Sequence, residues 1–220
     1  MATSKTIAII GASGNMGSAI AKSLADSPYR LLLFGKEEEK LRSVFKEMKN
    51  VNRSTNAEII GCAEDASWEA DIIIAAVPFA AEKELADRIR KVATGKIVIS
   101  ISNPLNESYT GLVTDSNTSS AEELQKLLPH SKVIKAFNTT FAGDFTQPVI
   151  DGKTIDAFIA GNDEEAVETV SDVVRSAGFN PIKAGALAVS RTLENMQALL
   201  INLNIKNNYN WVAAWKILHN

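Results

Sequence analysis

The chain holds a single cysteine, Cys62, two histidines and no tract of basic residues, and each scarcity closes off a class of function. One cysteine can form neither an internal disulfide nor a cysteine-based metal cluster, and it suits a reducing compartment. Its ordinary role is that of a small buried hydrophobe. His130 stands in a Pro-His-Ser turn and His219 beside the terminus, neither of them a place for acid–base catalysis. With 23 Lys and Arg against 26 Asp and Glu the formal net charge is −3, which makes nucleic acid and anionic membrane surfaces poor partners. No apolar run reaches the ~18 residues of a membrane span. Met1-Ala2-Thr3-Ser4 leads straight into an apolar run with no secretory leader. The expectation is a soluble, cytoplasmic protein that acts on a small molecule, without membrane or nucleic-acid partner. G-x-S-x-G, Walker and metal-ligand spacings are also missing, so no metal is expected.

What is present begins with Gly11-Ala12-Ser13-Gly14-Asn15-Met16-Gly17, set between the apolar run Ile7 to Ile10 and a helix-like segment from Asn15 to Asp26 in which Met16, Ile20 and Leu24 recur on one face. Strand, glycine turn and helix in this order make a dinucleotide site. Gly11 turns the chain off the strand, Gly14 leaves bare backbone for a pyrophosphate, and Gly17 lets helix and strand pack closely. The phosphates meet free amides and the positive end of the helix dipole, with Ser13, Asn15 and Met16 completing the cradle. At 220 residues and 45% hydrophobic content the chain suits one sizeable domain, or one with a short appendage.

Further runs read as strands: Leu31 to Phe34, Ala57 to Ile60, Asp71 to Val77, Lys96 to Ile101, Val133 to Phe137, Ile155 to Gly161 and Pro181 to Ala184. Helices are expected up to about Lys49, from Ala81 to Val92, from Ser119 (a capping-box start) to Pro129, and from Asp163 to Ala177. This alternation implies a doubly wound, mostly parallel α/β sheet. The tip of the second strand chooses the cofactor, since an acid there binds the ribose 2′-hydroxyl of NAD and a cation the 2′-phosphate of NADP. Gly35-Lys36-Glu37 favours NADP through Lys36, with NAD left open by Glu37. Because ligands of such sheets lie beyond the carboxyl strand ends, Val77, Pro78 and Phe79 should border the cofactor. Asn103 and Asn138 reach the same edge and face the nicotinamide end, the Asn103 amide being able to bond a carboxamide or ribose hydroxyl. Glu107 to Thr118 reads as a long loop and Asp144 to Gly152 as a surface loop. Leu193, Met196, Leu200 and Leu203 form a stripe on a last helix, broken at Asn207 to Asn210 before a second short amphipathic piece with Trp211, Trp215 and Leu218. A helix added after the last strand has no further sheet to cover, so a homodimer is expected.

Tyr29, Tyr109 and Tyr209 are followed four residues later by Leu33, Val113 and Ala213, so the tyrosine–lysine pair of short-chain dehydrogenases and sugar epimerases is missing. A cofactor site without an evident proton donor suits hydride transfer between two rings, which asks mainly for positioning and exclusion of water. No catalytic acid or base is nominated.

Gly11 to Gly17, the Val77-Pro78-Phe79 corner, Ser102-Asn103-Pro104-Leu105, the helix before Lys135-Ala136-Phe137-Asn138-Thr139, and Gly185-x-Leu187-x-x-x-Arg191-x-x-Glu194 together resemble the NADP oxidoreductase, coenzyme F420-dependent family over nearly the whole chain. The module is also similar to the NADPH domain of STEAP-type ferric reductases. The resemblance implies NAD(P)H-dependent hydride transfer to a flavin-like or deazaflavin (coenzyme F420) acceptor. It implies a Ser-Arg-Arg-like stretch where this chain has Gly35-Lys36-Glu37, and Leu-His-Thr where it has Phe137-Asn138-Thr139. Residues 1–185 would form the NAD(P)-binding domain and 186–220 a helical extension that closes over the nicotinamide end or pairs two subunits. The alternatives are an NADP-binding redox sensor without turnover, and a small-carbonyl reductase whose acid would be Lys135 or Thr139.

Overall fold

The computed structural model describes residues 5–219; Met1 to Ser4, whose sequence suggested no leader, and Asn220 lie outside the described residues. Strands β1 (Thr6–Ile10), β2 (Arg30–Phe34), β3 (Ala57–Ile59), β4 (Ile72–Ala75), β5 (Ile97–Ser100) and β6 (Lys132–Lys135) are parallel, in the order β3-β2-β1-β4-β5-β6. Register aligns Phe34, Ile10, Ala75, Ser100 and Lys135 in one row, so the five carboxyl ends form a single edge. A small hairpin, β7 (Val149–Ile150) and β8 (Lys153–Thr154), precedes β9 (Asp156–Gly161) and β10 (Asn180–Gly185), which pair parallel with each other while β9 runs antiparallel to β6.

Alternation along the buried strands sends side chains to two faces. Ile7 and Ile9 pack with helices α1 (Asn15–Ser23), α2 (Glu38–Val51) and α6 (Glu164–Ser176); Ala8 and Ile10 pack with α3 (Ala63–Glu69), α4 (Phe79–Ile89) and α5 (Ser120–Leu127). The helix α3 has no counterpart in the sequence reading. Its inward residues are Ala63 and Ala66, too small to print an apolar stripe. The Ser119 hydroxyl caps α5 by accepting from the Glu122 amide at 3.2 Å, and Asp163 caps α6 through the Ala166 amide at 2.8 Å.

Three expectations need correction. The Asp144–Gly152 stretch is not simply surface loop: a 3₁₀ turn over Ala142–Phe145 buries Asp144 and Phe145, and the hairpin follows. The last helix, α7 (Ser190–Asn207), does have sheet to cover, because Leu193 packs on Phe158 and Ala160 of β9. Leu193 and Leu200 are thereby buried within one chain. The second amphipathic piece is not a helix. After Asn208, with φ +53°, the tail is irregular and is held by Asp156, whose amide donates to the Trp215 carbonyl at 3.2 Å while its carboxylate takes the Ile217 amide and the Lys216 ammonium, each at 2.7 Å.

Candidate functional site

The carboxyl edge opens where β1 and β4 part, and a cleft of about 340 Å³ lies there. Gly11 takes φ +100°, and a Cβ at that position would strike the Ala76 carbonyl, so both backbone shape and neighbour demand glycine. Gly14 is different. Its φ of −84° suits any residue, and a Cβ there would meet only the Gly11 carbonyl oxygen, at 3.3 Å. The backbone conformation at Gly14 therefore does not require glycine, and a side chain there would ask only a small adjustment of the Gly11 carbonyl, whereas a group lying on bare backbone would exclude it. The start of α1 carries no side-chain cap. Its first-turn amides stand ready for an anion.

The cleft gathers Gly11, Ser13, Gly14, Gly35, Lys36, Val77 and Pro78. Asn15 and Met16 form the first turn of α1, with Asn15 turned to a separate groove beside Lys22 and Glu47. Phe79 opens α4, half-buried. Asn103 and Asn138 meet each other: Asn103 Nδ2 donates to the Asn138 carbonyl at 2.8 Å, and Asn138 Nδ2 donates to Asn103 Oδ1 at 3.0 Å. This clamp joins the ends of β5 and β6 and occupies much of the Asn103 amide expected to meet a ligand. Beside it Phe137 adopts φ +59°, a costly conformation for a bulky residue. Asn138 Oδ1 and Thr139 Oγ1 are buried without partners. Asp144 accepts the Phe141 amide at 2.7 Å, and burial raises its carboxyl to about 6.

Sequence reasoning missed two groups. Glu84 and Arg88, on α4, line the cleft beside Lys36; their i, i+4 spacing beyond the Val77-Pro78 corner was a usable signal. Behind the edge lies a buried polar cluster. Glu82 accepts from Ser102 Oγ at 2.7 Å and Ser120 Oγ at 3.1 Å, and burial raises its carboxyl to about 7. Lys135 Nζ donates to the Ser102 carbonyl at 2.5 Å and to Glu194 Oε1 at 2.6 Å, with both charged side chains fully buried. Of the two residues considered as a carbonyl reductase's acid, Lys135 is committed to Glu194 and the Ser102 carbonyl, while Thr139 is buried beside Asn138 with its hydroxyl unpartnered. Among the described residues no cluster suited to a metal ion occurs, and no helix is long and apolar enough to cross a membrane.

The family model described as NADP oxidoreductase coenzyme F420-dependent matches residues 6–104. The F420-dependent NADP reductase of Methanocaldococcus jannaschii is 33% identical over 211 residues, covering 91% of this chain and 92% of that protein. Metalloreductase STEAP3 of Rattus norvegicus is 27% identical over 89% of this chain, which spans only 37% of that protein. A crystal structure from Arthrobacter sp. FB24, provisionally named an F420-dependent NADP reductase, superposes with a TM-score of 0.84, covering 98% of this chain and 100% of that one, at 22% identity, a likeness of fold.

Proposed function

The chain belongs to the NADP oxidoreductase, coenzyme F420-dependent family, and from that premise we propose that it passes hydride between NADP(H) and a deazaflavin of the coenzyme F420 type, with flavins as the competing acceptors. The observation that carries this reading is the open backbone at Gly14 beside the uncapped start of α1, a cradle that a Cβ would enter and whose glycine the backbone conformation does not require. The bound nicotinamide supplies the hydride donor or acceptor carbon. The chain's part is to hold and to exclude water. Amides of Ser13, Asn15 and Met16 would bind the pyrophosphate over the bare backbone of Gly11 and Gly14, whose own amides donate to the Phe34 and Gly11 carbonyls, and Lys36 with Gly35 would meet the 2′-phosphate. Val77, Pro78 and Phe79 border the ring-bearing half. The unpartnered Asn138 Oδ1 supports a carboxamide-binding corner there, held in shape by Asn103. The commitment of Lys135 to Glu194 and the Ser102 carbonyl supports ring-to-ring transfer over carbonyl reduction, because it removes that ammonium as a proton donor.

Residues 1–185 would act as the dinucleotide-binding domain and 186–220 as its extension, with two copies pairing through exposed apolar residues of that extension, Leu199, Ile205 and Trp211, all more than half exposed. The single cysteine supports a cytoplasmic setting. The test is NADPH oxidation followed with coenzyme F420, FMN, FAD and no acceptor. Turnover confined to the deazaflavin is expected. Tight NADPH binding without turnover on any of them would replace the enzyme by a sensor.

A further inference from the structure

We propose that Arg88 is the second cation of the pocket that receives the cofactor's 2′-phosphate, and that Glu84 sets the balance there between phosphate and hydroxyl. The inference rests on reading the cleft as an NADP site. Lys36 is the only cation that immediately follows β2, and a lone ammonium on a flexible stem is a point charge rather than a fork shaped for phosphate. Arg88 reaches the same cleft from α4. Glu84 stands between the two cations, with Oε1 at 2.6 Å from Arg88 Nη2 and Oε2 at 3.9 Å from Lys36 Nζ. Glu37, an acid that also lines the cleft, is paired with Lys40 at 2.7 Å, which partly offsets its opposition to an anion. Lys36, Glu84 and Arg88 side chains are 78%, 54% and 57% exposed, so they are free to exchange one partner for another.

The exchange has a definite direction. A 2′-phosphate brings close to two negative charges and three acceptor oxygens. Offered to Lys36 and Arg88, it competes with a single carboxylate for both cations and must displace Glu84, whose charge then opposes it. A 2′-hydroxyl carries no charge and can donate to Glu84, the part taken elsewhere by an acid at the tip of the second strand. Glu84 therefore works against the phosphate and for the hydroxyl, while the two cations work the other way.

Full-length protein titrated calorimetrically with 2′,5′-ADP and with 5′-AMP separates these contributions without any turnover. Arg88→Ala should weaken 2′,5′-ADP by about tenfold or more and lessen the salt dependence of its binding, leaving 5′-AMP within about twofold. Lys36→Ala should do the same. Glu84→Gln should tighten 2′,5′-ADP and weaken 5′-AMP. All three positions are exposed, so unchanged unfolding curves are expected to accompany these shifts. If the wild-type protein prefers 2′,5′-ADP and Arg88→Ala leaves that preference intact, or weakens both fragments equally, the role of Arg88 is refuted while the cofactor reading stands. A wild-type protein without preference for 2′,5′-ADP overturns both together.

Discussion

Replacing Glu82 by glutamine should make the protein more stable in mild alkali and leave it no better in acid. The cluster behind the cofactor edge contains one cation, Lys135, and two carboxylates, Glu194 and Glu82, with Glu82 only 2% exposed. Lys135 is committed to Glu194 at 2.6 Å, so a second ionised carboxylate finds hydroxyl donors but no cation of its own. Burial accordingly carries Glu82 from 4.5 to about 7. The folded state then holds a proton that the unfolded chain has given up. The stabilisation from that proton is complete below pH 4.5, declines as pH rises towards 7, and is absent above. A displacement of this size corresponds to roughly 3 kcal/mol. Glutamine keeps an acceptor for the Ser102 and Ser120 hydroxyls, which can turn to receive its amide. Urea unfolding of both proteins from pH 5 to pH 8.5 isolates the group, since the two chains differ at this one position. The stability difference, variant minus wild type, should rise by about 2.5 kcal/mol across that range, the rest lying below pH 5. A difference that stays flat with pH would refute the buried proton on Glu82.

Gly14→Val should leave stability within about 1 kcal/mol, because its φ of −84° suits valine, yet reduce NADPH affinity by about 2 kcal/mol or more in a fluorescence titration. An unfolded variant would show that the backbone, and not a ligand, demands glycine. Lys135→Met, which strands Glu194 without its cation, should cost about 3–5 kcal/mol in urea unfolding; the double change Lys135→Met with Glu194→Leu should recover much of that loss, and no recovery would mean the pair is not coupled. Leu199→Asp with Ile205→Asp, both exposed on α7, should turn a sedimenting dimer into a stable monomer, whereas a wild-type protein that sediments as a monomer at high concentration would remove the pairing altogether.

The glycine turn after β1 and the strands around it were the part of the fold most legible in the sequence. Glycine spacing at Gly11, Gly14 and Gly17 and unbroken apolar strands are local signals, and each survives in a short window. The helix α3 was hidden because alanines at Ala63 and Ala66 bury well while contributing little amphipathic contrast. The tail beyond Asn208 misled for the opposite reason. Trp211, Trp215 and Leu218 have helical spacing, but Asp156, about 60 residues away in sequence, captures the backbone of Trp215 and Ile217. Tertiary bonds of that range outweigh a weak local preference. The left-handed turn at Phe137 and the Asn103–Asn138 clamp were equally out of reach, since they arise only once β5 and β6 lie side by side.

Burying Lys135 against Glu194 also constrains how the chain can be made. Synthesis proceeds from the amino end, and the parallel strands β1 to β6 are all available before α7 emerges. A nascent chain that closed its sheet at that moment would enclose an ammonium whose carboxylate partner, 59 residues downstream, had not yet been added. The Ser120 amide would likewise wait for an acceptor 74 residues ahead. The energetic penalty on a stranded internal charge should disfavour closing this side of the sheet before the last helix arrives. Stable packing there is thereby expected to await α7, and a product truncated before Glu194 should be a poor candidate for a native state.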